Sequence, residues 1–389
     1  GPLSGNSSFN GIVPRYISDI SFVTDPLAPS IVSIEAQGPT SVLILFSEDV
    51  DEISAETASH YTVSGSTVSS AQRISGQEDM VELTVSYLST GAHSLTVDGV
   101  TDLFGNSIDN VVTSFEFYGG NVPPGYYDGT AGLTGEDLQF ALHNIIDNHY
   151  SVSYDYLWTA FYTTDDKPDG TVWDMYSDVP GGIPPYVYEF GIDQTGSGAT
   201  EGTGYNREHS WPQSWYGGTS PMYTDLFILY PTDVRVNNFR GNYPFGEVGT
   251  PTWTSLNGCK LGSSSYPGYS GTVFEPIDEY KGDFARAYFY MGSRYYGEDG
   301  SWVGSPMVEG AQLLPWAEAM LLEWHFDDPV STKEIDRNDA VYDIQHNRNP
   351  FIDRPDFVVK VYGSDLSAAP EVVVAAANRL NQNVPNPFN

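Results

Sequence analysis

Arg207-Glu208-His209-Ser210, followed by Asp225-Leu226 and then by Val236-Asn237-Asn238, is the stretch on which the reading of this chain turns. It sets an imidazole beside a carboxylate and brings a side-chain amide up close behind. In an extended strand neighbouring side chains point to opposite faces, so Glu208 and His209 can address different partners. A carboxylate and an amide carbonyl are hard oxygen ligands, of the kind Mg²⁺ or Ca²⁺ takes alongside several waters. A neutral imidazole, with an ordinary pKa of about 6.5, suits the removal of a proton from water. Hydrolysis of a phosphodiester needs such parts: an aligned nucleophile, a base, and positive charge at the phosphate oxygens. Glu-His pairs are common, however, and a lone histidine is more often structural. The tetrad alone leaves a packing role open.

Outward from the tetrad, the chain is loop-rich between Gly181 and Gly310, with short apolar runs and many Gly, Tyr and Ser, and a small hairpin is expected somewhere in the same domain. Thr134-Gly135-Glu136-Asp137 has the pattern of a capping box and predicts a helix with Leu138, Leu142 and Ile145 on one stripe. A second helix is predicted after Pro315, with Ala317, Met320, Leu321 and Trp324 inward, and a third over Lys333–His346. These elements predict an α+β domain over residues 126–362.

Before it, residues 28–119 alternate in the manner of short strands. Val42-Leu43-Ile44-Leu45-Phe46 reads as one buried run; Val81, Leu83, Val85 and Tyr87 alternate, as do Leu95 with Val97 and Phe115 with Phe117. Turn signals at Ser64-Gly65 and Gly105-Asn106 separate them, and the whole predicts an all-β sandwich. Gly119-Gly120-Asn121-Val122-Pro123-Pro124-Gly125 supplies a Gly/Pro linker, with the boundary placed at 120–125. Residues 1–27 are read as a tag remnant, Gly1-Pro2-Leu3-Ser4-Gly5, and a leader segment; residues 363–389 are read as a linker and tail.

The formal charge of −35 sits awkwardly with a polyanionic substrate, which normally leaves a basic footprint. Residues 1–119 carry −13 and the remainder −22, so both halves are acidic. Yet 12 of the 16 basic residues fall between Arg207 and Lys360, around and beyond the tetrad. Such a balance excludes a tight DNA-packaging role and leaves an enzyme that must release its product. Cys259 is the single cysteine, so no internal disulfide framework exists. No apolar run approaches a membrane span, and neither a P-loop, a dinucleotide fingerprint nor a His-Glu-x-x-His zinc motif is present.

Several phrases carry a resemblance. They include Val172-Trp173-Asp174-Met175-Tyr176-Ser177, Arg207-Glu208-His209-Ser210-Trp211-Pro212-Gln213-Ser214-Trp215, Leu229-Tyr230-Pro231-Thr232-Asp233, and Val236-Asn237-Asn238-Phe239-Arg240-Gly241-Asn242. Leu322-Glu323-Trp324-His325 and Gln345-His346-Asn347-Arg348-Asn349-Pro350 complete the order. In this combination, residues 126–357 resemble the bacterial endonuclease I family, which uses a ββα-metal (His-Me finger) site. The resemblance implies a general base at His209 and metal ligands at Glu208 and Asn237, the latter at the start of the finger helix. It also implies an arginine at the scissile phosphate, for which Arg240 and Arg348 are the leading candidates, with Arg207 and Arg235 behind them. Arg348 could instead pair with Asp353 or Asp343. Many relatives read Asp-Leu-His-His-Leu or Asp-Leu-His-Asn-Leu where this chain has Asp225-Leu226-Phe227-Ile228-Leu229, so any help those side chains give in orienting the site is absent here.

Two further resemblances bear on context. Phe46-Ser47-Glu48-Asp49-Val50 and Val100-Thr101-Asp102-Leu103-Phe104-Gly105-Asn106 resemble bacterial Ig-like modules, which implies an accessory domain without catalytic residues. Asn383-Val384-Pro385-Asn386-Pro387-Phe388-Asn389 resembles the opening of a type IX secretion sorting domain.

The expectation is therefore a multi-domain, secreted or cell-surface bacterial protein: an Ig-like sandwich and a His-Me finger nuclease. It would cut DNA, with RNA as a further substrate, without sequence preference and leaving 5′-phosphates. Mg²⁺ is the expected cofactor, with Ca²⁺ or Mn²⁺ as substitutes; no membrane insertion and no obligate protein partner are implied. An RNA-preferring ribonuclease and an inactive nuclease-like surface-binding protein are the alternatives. His325 and His346 are expected to pack or cap, Asp165, Asp166 and Asp169 to form a solvated turn, and Trp211, Trp215 and Tyr216 to sit in the core.

Overall fold

In the computed structural model, residues 25–363 are described, apart from 87, 89, 90, 118 and 124. The tag remnant, most of the leader, Tyr87, Pro124 and the sorting-domain phrase lie outside them. Two compact units are present, one mainly from Thr40–Leu88 and Ala92–Glu116, the other from Phe117 onward.

The first unit is β-rich. Its strands are β1 (Ile31–Gly38), β2 (Ser41–Phe46), β3 (Tyr61–Val63), β4 (Val68–Ile74), β5 (Gln77–Val85), β6 (Gly91–Val97) and β7 (Val111–Phe117), with one short helix, α1 (Glu52–Ala55). They form a four-stranded sheet in the order β1-β2-β5-β4 and a three-stranded sheet in the order β3-β6-β7. The apolar run in β2 is not buried throughout. Val42, Ile44 and Phe46 are buried while Leu43 and Leu45 are half-buried, because an antiparallel sheet of this kind turns one face to the core. The register pairs Val42 with Leu83 and Ile44 with Val81, which gathers the buried residues of both strands on one face. Tyr61, Val63, Leu95, Val97, Phe115 and Phe117 are the buried hydrophobic residues of the other sheet, and His93 is buried with them.

The second unit mixes helices and strands. In chain order it contains α2 (Gly135–Ile146), α3 (Leu157–Thr164), β8 (Tyr205–His209), α4 (Gln213–Tyr216), β9 (Leu229–Asp233), α5 (Val234–Arg240), β10 (Val248–Thr254), β11 (Lys260–Ser264), β12 (Thr272–Glu275) and α6 (Lys281–Arg294). A small hairpin, β13 (Val308–Glu309) with β14 (Gln312–Leu313), precedes α7 (Pro315–Asp327), α8 (Thr332–Gln345), α9 (Pro350–Asp353) and α10 (Asp356–Tyr362).

Helix α2 starts where expected, but the Thr134 hydroxyl makes no capping bond, and its buried stripe is Leu138, Leu142 and Ile146 rather than Ile145. A complete capping box forms instead at Ser331 and Glu334, at the head of α8. That helix ends at His346, which takes φ 63° as its C-cap. Ala317, Met320, Leu321 and Trp324 are buried on α7 as predicted.

The main departure is α6. All 14 of its residues are buried, in a region expected to be loop-rich. Its sequence, KGDFARAYFYMGSR, sets Phe284, Tyr288 and Met291 at the i, i+4, i+7 spacing of one helical face, with Asp283, Arg286 and Arg294 gathered on the other, a charged face that would ordinarily meet water. Burial becomes possible because each charge meets an opposite one from elsewhere. Arg286 donates to both oxygens of Glu334 at 2.5 and 2.8 Å, and Asp283 accepts from Lys333 at 2.7 Å. Arg294 pairs with Asp147 at 2.7 Å, and Lys281 with Glu247 at 2.8 Å. Gly282 allows the close approach of a neighbouring segment, since a Cβ there would lie 2.0 Å from the carbonyl oxygen of Asp328.

If these pairs hold the core, Arg286→Ala strands a buried carboxylate. The expected loss is about 3–5 kcal/mol in chemical denaturation. The double variant Arg286→Met/Glu334→Leu should recover most of it, and equal losses for the two proteins would refute the pairing account.

Candidate active site

Strands β8 and β9 pair antiparallel, with Glu208 opposite Tyr230 and His209 opposite Leu229. Asp233 closes β9 and caps α5, its carboxylate accepting from the backbone N–H groups of Arg235 and Val236 at 2.7 and 2.8 Å. This strand–strand–helix unit brings Glu208 and His209, at the end of β8, together with Asn237 of α5. The three line one open cleft of about 470 Å³, along with Arg207, Gln213 and Arg240.

The His209 ring is fixed on both nitrogens. Nε2 lies 3.1 Å from the carbonyl oxygen of Tyr223, which can only accept, so the assigned tautomer carries its proton there. Nδ1 is left with the lone pair, and the amide of Gln213 donates to it at 3.0 Å. The ring also stacks on Tyr223, with centroids 5.4 Å apart. Burial pushes the imidazole down to about 4, so it is neutral at neutral pH and able to accept a proton. Gln213 is exposed, and a water entering the cleft can take its place.

Glu208 is buried. One carboxylate oxygen accepts from the Tyr176 hydroxyl at 3.0 Å and lies 3.4 Å from Arg240 Nη1. Burial nonetheless pushes its pKa up to about 7, against the pull of Arg240 and Tyr176. Asn237 is the fourth residue of α5, not the start of the helix as expected. Its Nδ2 donates to Asn206 Oδ1 at 2.9 Å, which directs its carbonyl oxygen elsewhere. An under-neutralised carboxylate and a freed amide oxygen in one cleft are a donor pair that fits a hard divalent cation.

The arginines separate by their partners. Arg240 reaches the cleft but is buried as a clamp: it donates to the carbonyls of His209 and Gly241, both at 3.1 Å, and to that of Ser210. Arg348 does not join the group. It is fully buried and donates to Asp353 at 2.7 and 2.8 Å and to Asp339 at 2.6 Å, so pairing with Asp353 is realised and pairing with Asp343 is not. Arg235 lies over the Phe239 ring, 4.3 Å from its centroid. Arg207 lines the cleft, with Nη1 donating to the Tyr154 carbonyl at 2.7 Å and its guanidinium carbon 3.5 Å from the Tyr154 ring centroid.

Phe227 and Ile228 are core residues. Both are buried, and Phe227 packs on Tyr290 with centroids 4.6 Å apart. Asp225 beside them accepts from the hydroxyls of Tyr290 and Tyr295 at 3.0 and 2.7 Å. Asp165 is no part of a solvated turn, being buried and paired with Arg337 at 2.9 Å. Among the described residues His143, Asp147 and Glu298 also cluster as ligand types, but Arg294 Nη1 lies 2.7 Å from Asp147 and 3.2 Å from Glu298 and fills the cation's role. Gln213, Tyr223, Tyr176 and Asn206 are the partners that sequence reasoning missed. Gln213 follows His209 by four residues, but strand ends and helix begins between them, so no periodicity links the two.

Residues 134–356 match the family model described as Endonuclease I, and the chain belongs to this family. The extracellular ribonuclease of Bacillus subtilis (strain 168) is 35% identical over 249 residues, covering 61% of this chain and 78% of that protein. That of Bacillus amyloliquefaciens is 35% identical over 252 residues with the same coverages. A periplasmic deoxyribonuclease of Aeromonas hydrophila is 28% identical over 134 residues, 34% of this chain and 48% of that one. The protein is a nuclease, and these three relatives are extracellular or periplasmic by name. Among the described residues no helix is long and apolar enough to cross a membrane.

Two outcomes follow from the geometry. Arg240→Met should lower stability by about 3 kcal/mol or more in thermal or urea unfolding, and Arg207→Ala by less, about 1–2 kcal/mol for its ring contacts and one hydrogen bond; the reverse order would reassign the two arginines. Glu208 must lose its proton to serve as a ligand, so divalent-ion affinity should rise as pH increases through about 7, with proton release on binding below that pH. Calorimetry in buffers of different ionisation enthalpy measures it, and pH-independent binding without proton release would exclude Glu208.

Proposed function

We propose that this protein is a secreted, divalent-metal-dependent endonuclease without sequence preference. It hydrolyses phosphodiesters to 5′-phosphate products on a His-Me finger formed by β8, β9 and α5. The β-rich first unit is, on this reading, an Ig-like accessory module over residues 28–119, followed by a linker at 120–125 and a nuclease domain over 126–362. The observation that carries the proposal is the His209 imidazole, neutral and pinned through Nε2, with its Nδ1 lone pair in the cleft that holds Glu208 and Asn237.

His209 Nδ1 accepts a proton from water as the water oxygen attacks phosphorus. The bond from phosphorus to the 3′ oxygen breaks in line, leaving a 5′-phosphate and a 3′-hydroxyl, the latter protonated from solvent. Glu208 and Asn237 would hold the metal ion, Mg²⁺ by the hardness of its donors, which supplies positive charge at the phosphate oxygens when bound. Arg207 takes the phosphate-binding role in place of Arg240 and Arg348, because Arg348 is spent on aspartates and the terminal nitrogens of Arg240 on backbone carbonyls, which leaves only its buried Nε without a partner. The Tyr223 carbonyl keeps the imidazole in the productive tautomer. The overall charge of −35 is offset locally, since the cleft is lined by two arginines and a single carboxylate.

A second reading, preference for RNA, is favoured by the two ribonuclease-named relatives at 35% identity. Equal amounts of DNA and RNA in one digestion decide between the two. The inactive, surface-binding alternative finds no support in the Endonuclease I family or in the nuclease names of the relatives given above.

Digestion of plasmid DNA and structured RNA, with Mg²⁺ and with EDTA, tests the proposal. His209→Ala should lower kcat by about 10²–10⁴-fold with little change in KM, the range expected for a lost general base. Cleavage undiminished by this substitution would remove the base.

A further inference from the structure

A second concavity, of about 450 Å³, shares Arg207 with the catalytic cleft. Its other walls include Tyr154, Trp158, Gln194, Thr195 and Asn206, and it takes no part in the mechanism above. Three features set it apart. No carboxylate lines it, in a chain that carries 51 acidic residues. The contrast is the concavity around Lys281, where Glu247, Glu275, Asp278, Glu323 and Asp327 all contribute. Asp155, fully exposed, comes within 4.0 Å of Arg207, but inside this concavity a polyanion meets the guanidinium and no carboxylate, and is repelled less than at Lys281.

Its cation is also held in place. The Arg207 guanidinium carbon lies 3.5 Å from the Tyr154 ring centroid and 4.4 Å from that of Trp158, while Nη1 is anchored on the Tyr154 carbonyl. Little side-chain entropy remains to be lost when a phosphate meets it. Finally, Asn206 spans the two clefts: it lines the second, and its Oδ1 accepts from Asn237 of the first.

We propose that this concavity is a nucleotide subsite, which receives an unpaired nucleotide next to the scissile phosphate while Arg207 contacts the phosphate between the two clefts. The volume falls within the range of about 300–1,000 Å³ typical of small-ligand sites. Ring edges of Tyr154 and Trp158 suit the apolar surface of sugar and base, and the amides of Gln194 and Asn206 suit base edges. A paired base would first have to leave its stack. The subsite rests on the nuclease reading above and narrows its substrate to single strands and looped or frayed segments.

The test uses the full chain carrying His209→Ala, so that bound strands stay intact, with Mg²⁺ and a fluorescein-labelled eight-residue oligothymidylate read by anisotropy. Gln194→Glu, nearly isosteric, should weaken binding about tenfold. Gln194→Lys should tighten it and steepen the salt dependence by about 0.7 in log–log slope, as expected for one added contact to a single strand. In the otherwise unaltered enzyme, Gln194→Glu should leave hydrolysis of bis(p-nitrophenyl) phosphate unchanged, since that diester has no flanking nucleotide. Oligothymidylate binding indifferent to both charges, or a duplex bound as tightly and as charge-sensitively, would overturn the subsite. Charge-sensitive binding without any cleavage by the unaltered protein would leave the subsite standing and sink the catalytic reading instead.

Discussion

The guanidinium of Arg240 holds the site together. From one buried position it donates to the carbonyls of His209, Ser210 and Gly241 and lies 3.4 Å from Glu208. The end of β8 is thereby tied to the end of α5, and the two residues whose chemistry matters are carried on the strand that is tied. Tyr288 of α6 donates to the same Ser210 carbonyl at 2.7 Å, which connects this tie to the central helix. A cation that cannot lose its proton is suited to such a place, because its charge and its donors stay constant while neighbouring groups titrate.

Burial then sets the electrostatics of the cleft. It lowers the basicity of His209 and raises that of Glu208, the two shifts having one origin in the cost of removing charge from water. The neutral imidazole is kept ready by the first shift. The second leaves a carboxylate that gains from any added positive charge, which is the disposition of a metal ligand. Tyr223, Gln213, Tyr176 and Asn206 refine the arrangement by deciding which atom of each functional group is free.

Much of this was legible beforehand, for definite reasons. His209, Glu208 and Asn237 stand in a local motif, and the antiparallel pairing of β8 with β9 and the Asp233 cap are short-range events that bring them together. The alternation of Val81, Leu83 and Val85 also survives, since a half-buried strand advertises its inward face. Helix α6 was not legible. The burial of its charged face depends on Glu334, Lys333, Asp147 and Glu247, which lie far away in sequence, and a face carrying Asp283, Arg286 and Arg294 reads from sequence as one turned to water.

The arginines show the division most clearly. By itself the sequence determined the chemical parts: one imidazole, one carboxylate and one amide in the order on which the proposed metal-assisted site rests, with basic residues scattered around them. Only the tertiary structure decided which of those cations is free to meet an anion. Arg348 faces Asp353 and Asp339 away from the cleft, Arg240 lines the cleft but turns its terminal nitrogens to carbonyls and Glu208, and Arg207 lines it against Tyr154 with one terminal nitrogen on a carbonyl. The reason is physical: a buried charge must be paired, its partner is chosen by three-dimensional proximity, and linear order carries almost no record of that choice.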